Sequence, residues 1–458
     1  MIPVLTPDEM AAVDAAASEP VEVLIERAGA AVARAALDLL GGGYGRHVVV
    51  LAGKGNNGAD GRAAAVRLRR RGARVTVIEA KDAPEVLPSA DLVIDAAYGT
   101  GFRGDHVAPH TTAPVLAVDI PSGIDGLTGA EPGRALDAVC TVTFAALKPG
   151  LLLGPGASRA GDIVVVDIGL DVDVPARPTS CAVLDADDVA ALLPTRPVDA
   201  HKWQSAVLVV AGSPGMGGAA HLAAAAAQRT GAGMVRLATP GVDDPERPVE
   251  AVAVTLPASG WAAAAVDAGD RCHAVIVGPG LGRGSAPEVR ELLTRLDLPV
   301  VVDGDGLAGL GRDVAAVLAR RSAPTVLTPH DGEHELLTGA RPGPDRIAAA
   351  RALASSSGAV VLLKGATTIV AAPAGDVRIV TTGDARLATA GTGDVLSGII
   401  GALLAQGVPA LDAAAGGAWL HGTAASLGPA TGLVASDVVD LLPAVLEVLL
   451  DGDDEDQD

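Results

Sequence analysis

Short apolar segments alternate with amphipathic segments along the first third of the chain. His47–Ala52 and Leu92–Ala96 are apolar almost throughout, without the polar–apolar alternation of a half-exposed strand. Uninterrupted apolar runs of this kind predict parallel strands that helices cover on both faces. The same pattern predicts further strands over residues 75–79, 115–120, 139–144 and 163–168, and a helix over residues 63–71.

Two helices are predicted ahead of the first strand. Thr6, Pro7 and Glu9 carry the signature of a helix start, with Thr6 as the N-cap and Glu9 completing a capping box. A second helix is predicted over Val21–Leu40, and Gly41 is placed to end it.

The pattern lapses between residues 169 and 201, where four prolines interrupt it, and then resumes. Strands are predicted over residues 206–211, 235–238, 274–277, 300–302, 325–327 and 360–363, followed by a hairpin of strands 367–371 and 377–381. Helices are predicted over residues 187–193, 219–229, 394–404, 411–426 and 437–450. We therefore expect two α/β domains of three layers each, a Rossmann-like domain over residues 1–176 and a second domain over residues 177–450.

Composition and charge narrow the classes of partner. The formal net charge of −21 argues against nucleic acid or an anionic membrane surface. The acidic run at residues 451–458 predicts a disordered tail. Cys140, Cys181 and Cys272 are scattered singly, which indicates neither a disulfide framework nor a zinc site. Because the N-terminus lacks a signal-peptide pattern and no apolar stretch is long enough to span a membrane, we expect a cytoplasmic protein.

The segment Gly391-Thr392-Gly393-Asp394 precedes an apolar helix near the C-terminus. Free backbone N–H groups at a helix start, with no Cβ to keep a ligand away, form an anion site. Asp394, next to this cradle, is placed to take a proton from a hydroxyl while the amides hold a transferring phosphoryl group. The alternative is a glycine-rich turn with an ordinary Asp.

A second glycine pattern, Gly53 to Gly58, matches G-x-G-x-x-G after a strand and before a helix. Glu79 follows at about the distance at which dinucleotide-binding folds place a ribose-binding acid. Taken literally, this pattern predicts a NAD-dependent dehydrogenase, but by itself it supports that class and another class about equally. Asn56, Asn57 and Asp60 argue against that class, because such turns normally carry small apolar residues there.

Oxygen-bearing side chains follow three of the predicted strands. Asn57 follows the strand predicted over residues 47–52. Asp95 lies near the end of the strand over residues 92–96, and Ser122 follows the strand over residues 115–120. The carboxyl ends of parallel strands share one edge, so these side chains are expected to converge. Hard oxygen donors without Cys or His suit an alkali or alkaline-earth cation. Three unrelated strand-end caps are the alternative.

The motifs of the first domain, Asn56 to Gly61, Gly99-Thr100-Gly101 and Asp119 to Asp125, resemble those of the NAD(P)H-hydrate epimerase family. The resemblance implies that potassium is bound by Asn57, Asp95 and Ser122 and that Asp119 is catalytic. Lys148 ends a strand on the same edge, and we expect it to approach the site. The resemblance implies the following substrate-binding residues: Asn56, Asn57, Gly58, Asp60, Gly99, Thr100, Gly101 and Asp119.

Successive strands of the second domain end in polar or glycine-rich motifs, namely Gly278 to Gly282, Thr328 to Glu333 and Lys364 to Thr368, and Gly391 to Asp394 follows them. Together these motifs resemble the ADP- or ATP-dependent NAD(P)H-hydrate dehydratases, which have a ribokinase-like fold. The resemblance implies Gly280, His330 and Asp394 as substrate-binding residues, with Asp394 as the catalytic base. It also implies that Glu333 organises magnesium on the nucleotide. The implied nucleotide-binding residues are Lys364, Gly365, Ala366, Thr367, Thr368, Gly391, Thr392 and Gly393.

The function predicted from both resemblances is repair of hydrated NADH and NADPH: epimerisation of the R and S hydrates, then ADP-dependent dehydration of the S hydrate. The expected partners are the hydrated dinucleotide and ADP, with potassium and magnesium as cofactors, and a homo-oligomer is expected. Two alternatives remain, a thiazole- or pyridoxine-type kinase fused to a dinucleotide-binding module and a non-catalytic first domain. The sequence does not distinguish ADP from ATP or the NADH from the NADPH hydrate.

Overall fold

The computed structural model describes residues 1–172 and 180–451. The chain separates into two compact units within the segment between these ranges, and the predicted boundary at residues 176–177 lies outside the described residues. Residues 452–458 of the predicted tail also lie outside them. Asp451, predicted to begin that tail, is instead the last residue of the final helix.

The first unit is built on a parallel sheet with helices packed against it. The sheet order β3-β2-β4-β5-β6-β7 has its switch between β2 and β4, where the chain turns from one half of the sheet to the other. The strands of this sheet are β2 (His47–Ala52), β3 (Arg74–Glu79), β4 (Leu92–Ala96), β5 (Val115–Val118), β6 (Cys140–Phe144) and β7 (Asp162–Val166), and the short strand β1 (Ile2–Pro3) lies outside it. The helices are α1 (Pro7–Ala15), α2 (Val21–Leu40), α3 (Asn56–Arg70), α4 (Pro149–Leu152) and α5 (Gly154–Arg159).

The apolar pattern explains this unit closely. Central strands β2, β4 and β5 are buried along almost their whole length, as uninterrupted apolar runs predict. The capping box of α1 forms as predicted, since the Thr6 hydroxyl accepts from the Glu9 amide and the Glu9 carboxylate accepts from the Thr6 amide.

The start of helix α3 differs from the predicted position. Helix α3 begins at Asn56, whereas the sequence predicts a helix only from residue 63 and a loop before it. Glycines in this first turn lower helix propensity, but Gly58 and Gly61 are buried where the helix packs on the sheet. Tertiary packing therefore outweighs propensity, and the Asn-rich segment is helical.

The second unit contains a mostly parallel sheet in the order β8-β17-β16-β15-β14-β13-β12-β9-β10-β11. Strand β16 runs antiparallel to β15 and β17, which confirms the predicted hairpin. The strands are β8 (Cys181–Val183), β9 (Ala206–Val210), β10 (Met234–Pro240), β11 (Val252–Leu256), β12 (Ala274–Val277), β13 (Val300–Val302), β14 (Thr325–Leu327), β15 (Val360–Leu363), β16 (Thr368–Ala371) and β17 (Val377–Val380).

Helices cover this sheet. In helix α14, every residue from Val395 to Ala405 is buried. Small residues allow this close packing, because a Cβ at Gly398 would lie 2.3 Å from the Ala223 carbonyl oxygen. The helices are α6 (Ala186–Leu192), α7 (Gly217–Arg229), α8 (Ala262–Ala268), α9 (Ala286–Arg295), α10 (Asp305–Leu310), α11 (Val314–Leu318), α12 (Asp331–Thr338), α13 (Arg346–Ser357), α14 (Thr392–Ala405), α15 (Ala410–Leu427) and α16 (Ala435–Asp451).

Candidate functional sites

The start of helix α3 rests directly on the end of strand β2. A Cβ at Gly58 would lie 1.9 Å from the carbonyl oxygen of Gly53, so only glycine permits this approach. Asn57 lies in this first turn, and neither its amide oxygen nor its amide nitrogen has a hydrogen-bond partner in the described parts of the chain, although both are buried. A buried amide left without a partner is costly, which indicates a ligand at this place.

Asp95 and Ser122 lie together at the neighbouring strand ends. The Ser122 hydroxyl donates to Asp95 Oδ1 over 2.7 Å, and the Ser122 amide donates to Asp95 Oδ2 over 2.9 Å. Burial raises the pKa of Asp95, and the hydrogen bonds from Ser122 lower it in part. Asp95 forms no ion pair with any residue that the structure describes. A buried carboxylate, a hydroxyl and an orphaned amide oxygen are donors that fit a potassium ion.

Asp119 follows strand β5 in a strained backbone conformation, with φ of 69°. Its Oδ2 accepts from the Thr100 amide over 2.9 Å, and its Oδ1 lies 2.8 Å from Lys148 Nζ. Burial alone raises the pKa of Asp119, but the Lys148 ammonium and the hydrogen bonds from Lys148 and Thr100 hold it below its usual value. Asp119 is therefore an ionised carboxylate in this site.

Lys148 is more deeply placed than the sequence indicates, since its side chain is only 2% exposed. Its ammonium also donates to Thr143 Oγ1 over 2.8 Å and to the Phe144 carbonyl over 3.0 Å. These acceptors fix the amine against Asp119, and Lys148 reaches the site.

Asp60, one turn along helix α3 from Asn57, faces the same cavity in the opposite protonation state. Its pKa is raised to about 8, chiefly by burial and then by the negative charges of Asp119 and Asp14. The site thus combines an ionised carboxylate, Asp119, with a carboxyl group that holds its proton at neutral pH. Such a pair is typical of acid–base catalysis.

A cavity of about 980 Å³ opens above these groups, at the upper end of the size range of small-molecule sites. Of the two tyrosines and two phenylalanines in the chain, Tyr98, Phe102 and Phe144 line it, with the Tyr98 and Phe102 ring centroids 4.3 Å apart. The predicted residues that line it are Asn56, Asn57, Asp60, Gly99, Thr100, Gly101, Asp119 and Lys148. Gly58, Asp95 and Ser122 are not among its lining residues.

The second candidate site forms where helix α14 begins. Gly391 is the N-cap in the left-handed conformation, with φ of 93°, and no side chain caps the helix. The Thr392 hydroxyl points back and donates to the carbonyls of Leu387 and Thr389 over 2.8 and 3.0 Å. The amides of the first turn remain available to an anion, as the sequence predicts.

Asp394 lies in this first turn. Its pKa is raised to about 6, chiefly by burial and then by the Asp303 charge, while the Lys364 ammonium opposes both. A carboxylate with this pKa is ionised at neutral pH and yet is a stronger base than an exposed aspartate.

Asp303 organises this site, and the sequence analysis did not select it. Its Oδ1 accepts from Lys364 Nζ over 2.9 Å and from the Thr328 hydroxyl over 2.7 Å, while its Oδ2 accepts from the Ser397 hydroxyl over 2.9 Å. A Cβ at Gly393 would lie 3.6 Å from Lys364 Nζ and 3.7 Å from Asp303 Oδ2. The Asp303–Lys364 pair therefore lies directly beside the glycine turn.

A signal for Asp303 exists in the sequence. It follows the fully buried strand β13, just as Asp95 closes β4, and a carboxylate at a parallel strand end lies on the ligand-binding edge.

The His330 side chain forms its hydrogen bonds with residues that follow it closely in the sequence. It is the N-cap of helix α12, where its Nδ1 accepts from the amides of Gly332 and Glu333 over 3.0 and 3.3 Å. Its ring is 61% exposed, so Nε2 remains accessible to a ligand. Glu333 accepts from the His330 amide and lies 3.6 Å from Lys364 Nζ. Burial raises the pKa of Glu333, and Lys364 opposes that effect.

The remaining predicted residues surround this cluster less closely. Gly280, in the turn after β12, has φ of 62° and accepts from the Ser213 hydroxyl over 2.8 Å. Gly365 and Ala366 are exposed in the turn between β15 and β16, and Thr367 and Thr368 are half-buried. Arg346 donates to the Lys364 carbonyl over 2.9 Å and so supports this turn. In the described parts of the chain, Gly280 forms no hydrogen bond with Asp303 or Lys364.

Within the described ranges, no cluster of three or more His, Cys, Asp or Glu side chains could hold a metal ion by itself. A magnesium ion that is bound mainly by nucleotide phosphates and water needs only one or two carboxylates. Glu333 fits that lesser requirement. Among the same residues, no helix has both the length and the apolar character of a membrane span.

Two family models match the chain. The model described as NAD(P)H-hydrate dehydratase matches residues 207–444, and the model described as YjeF-related protein N-terminus matches residues 21–86 and 78–150.

Curated relatives match nearly the whole chain. The bifunctional NAD(P)H-hydrate repair enzyme Nnr of Mycobacterium leprae is 40% identical, over 90% of this chain and 91% of that protein. The enzyme of the same name from Salinibacter ruber is 37% identical, over 97% of this chain and 96% of that protein. The Escherichia coli enzyme of that name is 32% identical, over 88% and 85%.

Solved structures resemble the second unit. The ADP/ATP-dependent NAD(P)H-hydrate dehydratase from Bacillus subtilis, co-crystallised with ATP and Mg²⁺, has 31% identity and a TM-score of 0.51, and the match covers 58% of this chain and 98% of that one. A ribokinase-like superfamily protein from Enterococcus faecalis has 23% identity and a TM-score of 0.52 over 60% of this chain and 98% of that one. The latter supports the predicted ribokinase-like fold alone.

Proposed function

From the premise that this chain belongs to the family of bifunctional NAD(P)H-hydrate repair enzymes, we propose which of its residues perform each half of the repair. The protein is an isomerase and a lyase: its N-terminal half is an NAD(P)H-hydrate epimerase and its C-terminal half an NAD(P)H-hydrate dehydratase. The dehydrogenase interpretation of Gly53 to Gly58 is therefore wrong, and the kinase alternative is the weaker one.

In the epimerase half, the hydroxyl group on carbon 6 of the reduced nicotinamide must leave and return on the other face. Asp60, which holds a proton at neutral pH, donates it to the leaving hydroxyl while the ring nitrogen supplies the electron pair. Water then adds to the opposite face, and Asp119 takes its proton. Lys148 keeps Asp119 ionised for this step. The opposed protonation states of Asp60 and Asp119 in one cavity carry this proposal.

Potassium, held by Asn57, Asp95 and Ser122, would offset part of the pyrophosphate charge in an acidic protein. The remaining predicted substrate-binding residues, Asn56, Gly58, Gly99, Thr100 and Gly101, surround the Asp119 carboxylate or the start of α3. Thr100 contributes most directly, since its amide orients Asp119 Oδ2.

In the dehydratase half, Asp394 takes the proton of the carbon-6 hydroxyl, and the hydroxyl oxygen attacks the terminal phosphorus of ADP, releasing AMP. The amides of Gly391, Thr392 and Gly393 hold the phosphoryl group during transfer. Hydroxide is a poor leaving group because the pKa of water is near 16, whereas the second pKa of a phosphate is about 6. The phosphate then leaves as the ring nitrogen donates its electrons, and loss of a proton from carbon 5 restores NADH or NADPH.

The other residues of this half bind the nucleotide or the substrate, or hold the binding residues in position. Lys364 contacts the nucleotide phosphates, with Gly365, Ala366, Thr367 and Thr368 as the adjoining turn. Asp303 is a positioning residue, because it holds both Lys364 and Ser397 of helix α14. Glu333 would help to hold magnesium, whose charge would offset that of the phosphates, and Gly280 and His330 contact the substrate.

Two purified epimers separate the roles of the two halves. With the S hydrate, magnesium and ADP, the absorbance of reduced nicotinamide should return for the wild type and for Asp119→Asn, but not for Asp394→Asn. With the R hydrate, both variants should fail, because epimerisation must precede dehydration. Replacing ADP by ATP tests the choice of phosphoryl donor. A phosphorylated product that accumulates without release of phosphate would instead indicate the kinase alternative.

A further inference from the structure

Glu79 is the last residue of strand β3 and lines the same cavity as the start of helix α3 and Asp119. The dehydrogenase interpretation had drawn attention to this acid, and the epimerase function leaves it without a role. In the sheet order, β3 lies next to β2 and three strand positions from β5. At about 4.8 Å per position, Glu79 lies about 14 Å along the sheet from Asp119. One cavity thus spans the catalytic carboxylate and a second acid far from it.

Arg62 holds Glu79 in place. Its Nη2 donates to both carboxylate oxygens of Glu79, over 2.7 and 2.6 Å, and its Nη1 donates to the Gly53 carbonyl over 2.8 Å. The Glu79 carboxylate is therefore fixed beside the glycines at the end of β2. The side chain is still 42% exposed, and a carboxylate with two accepted hydrogen bonds retains lone pairs for a ligand hydroxyl.

In α/β folds that bind dinucleotides, an acid at the end of the second strand accepts from the 2′-hydroxyl of the adenosine ribose, and the pyrophosphate lies at the helix that follows the first strand. Strand β3 is the second strand of the sheet along the chain, and α3 follows the first. The chain therefore retains the ribose position of such a fold although the residues around Asn57 differ from those of a dehydrogenase.

We propose that Glu79, held by Arg62, binds the 2′-hydroxyl of the adenosine ribose and makes the epimerase half selective for the hydrate of NADH over that of NADPH. This inference rests on the proposed epimerase function of the same cavity. The NADPH hydrate carries a phosphate at this hydroxyl, so its charge would face the Glu79 carboxylate. Arg62 cannot compensate while it is paired with Glu79.

The test compares the R hydrates of NADH and NADPH as substrates of the full-length protein, without ADP or ATP so that the dehydratase half does not act. Conversion to the S form is followed by chromatography, against a sample without protein. The wild type should favour the NADH hydrate in kcat/KM. Glu79→Gln keeps the shape, removes the charge and releases Arg62, so the preference should fall by about tenfold or reverse, chiefly through KM.

Glu85→Gln is the matched control, because Glu85 is exposed nearby and does not line the cavity. It should keep the wild-type preference, which separates a local effect from a general change in charge. An unchanged preference in Glu79→Gln, or an equal loss with both hydrates, would overturn the inference and leave Glu79 a structural partner of Arg62. A wild-type protein that interconverts neither pair of epimers would instead overturn the proposed function.

Discussion

Three carboxyl groups in this protein owe their chemistry to burial and to what lies beside them. Asp119 lies against the buried Lys148 and Asp303 against the half-buried Lys364, and the lysine holds the pKa of each carboxyl below its usual value despite burial. Among the described residues, Asp394 forms no ion pair with a lysine, and its pKa is raised to about 6. Burial therefore raises the pKa of an aspartate in the two candidate sites unless a lysine lies beside the carboxyl group and keeps it charged.

The pH dependence of dehydration should report on Asp394. Because its pKa lies at about 6 and only the ionised form accepts a proton, kcat/KM for the S hydrate should be constant near neutral pH and fall below about pH 6. Asp394→Asn should lower kcat by about 10²–10⁴-fold and abolish this acid limb. Steady-state rates measured between pH 5 and 8 with saturating ADP check both points; an acid limb that survives in the variant would assign it to another group.

Lys148→Met should unfold the first unit more readily. The change leaves Asp119 buried without its cation, which costs about 3–5 kcal/mol in comparable buried pairs. The folded-state pKa of Asp119 is lowered, so the stabilisation is present above the unfolded-state pKa of about 3.9 and is lost as the pH falls through the folded-state value. Urea unfolding at pH 7 and pH 3.5 should therefore show a large difference from wild type at the first pH and a smaller one at the second.

Lys81→Met is the control for this comparison, since Lys81 is 62% exposed and paired only with the exposed Asp82. Its free energy of unfolding should stay within about 0.5 kcal/mol of wild type. Equal effects of the two substitutions would contradict the role given to the buried pair.

Sequence reasoning predicted most residues of both sites because strand-end positions can be read from apolar runs. Asp95, Ser122 and Asp119 lie at one sheet edge for that reason. It could not predict which strand-end group pairs with which: the Asp303–Lys364 contact joins residues far apart in sequence, and nothing in either segment records the other. Lys148 was expected only to approach the site, because its burial depends on the acceptors Thr143 and Phe144.

At the scale of elements, each candidate site contains the N-terminus of one helix, α3 or α14. Each of these N-termini depends on glycine for a different reason. At α14, Gly391 supplies a left-handed residue that exposes the first amides. At α3, Gly58 allows the helix to rest on the end of β2. Intrinsic helix propensity does not report the packing of Gly58 against β2. The sequence therefore predicted the start of α3 at residue 63 instead of Asn56. Helix α13 was missed because its alanine-rich segment lacks a distinct apolar period. Helix α9 was missed although Val289, Leu292 and Leu293 have helical spacing and are buried on one face.

Gly58→Ala should destabilise the first unit, because the added Cβ would lie 1.9 Å from a backbone oxygen that cannot move alone. A loss of about 2–3 kcal/mol is expected from overpacking of this kind. Gly55→Ala is the matched control: Gly55 has φ of −86°, and a Cβ there would meet nothing within 4 Å. Urea midpoints from far-UV circular dichroism should separate the two variants, and identical midpoints would mean that α3 can begin elsewhere.

At the scale of the whole molecule, the chain is two compact units whose aromatic residues are divided unequally. Trp203, Trp261 and Trp419, the only tryptophans in the sequence, all belong to the second unit. The first unit carries the tyrosines and phenylalanines, of which Tyr98, Phe102 and Phe144 face its cavity. The two units therefore have separate spectroscopic reporters.

Tryptophan fluorescence should follow the unfolding of the second unit only. In Lys148→Met, the urea unfolding curve measured by far-UV circular dichroism should gain an additional transition at lower urea, because the first unit unfolds earlier. The unfolding midpoint measured by tryptophan fluorescence should stay at the wild-type value. Magnesium with ADP should shift the tryptophan transition to higher urea, because a ligand that binds only the folded state stabilises it. Coincident curves under all conditions would show that the two units unfold as one.

The left-handed backbone at Asp119 sets two free-energy costs against each other. An aspartate held at φ of 69° costs free energy that glycine would not. Asp119→Gly would also leave the Lys148 ammonium, whose side chain is 2% exposed, without its ion-pair partner. Because the loss of a buried pair outweighs the relief of backbone strain, selection for heat resistance alone should retain this aspartate even in a protein that is no longer required to repair the R hydrate.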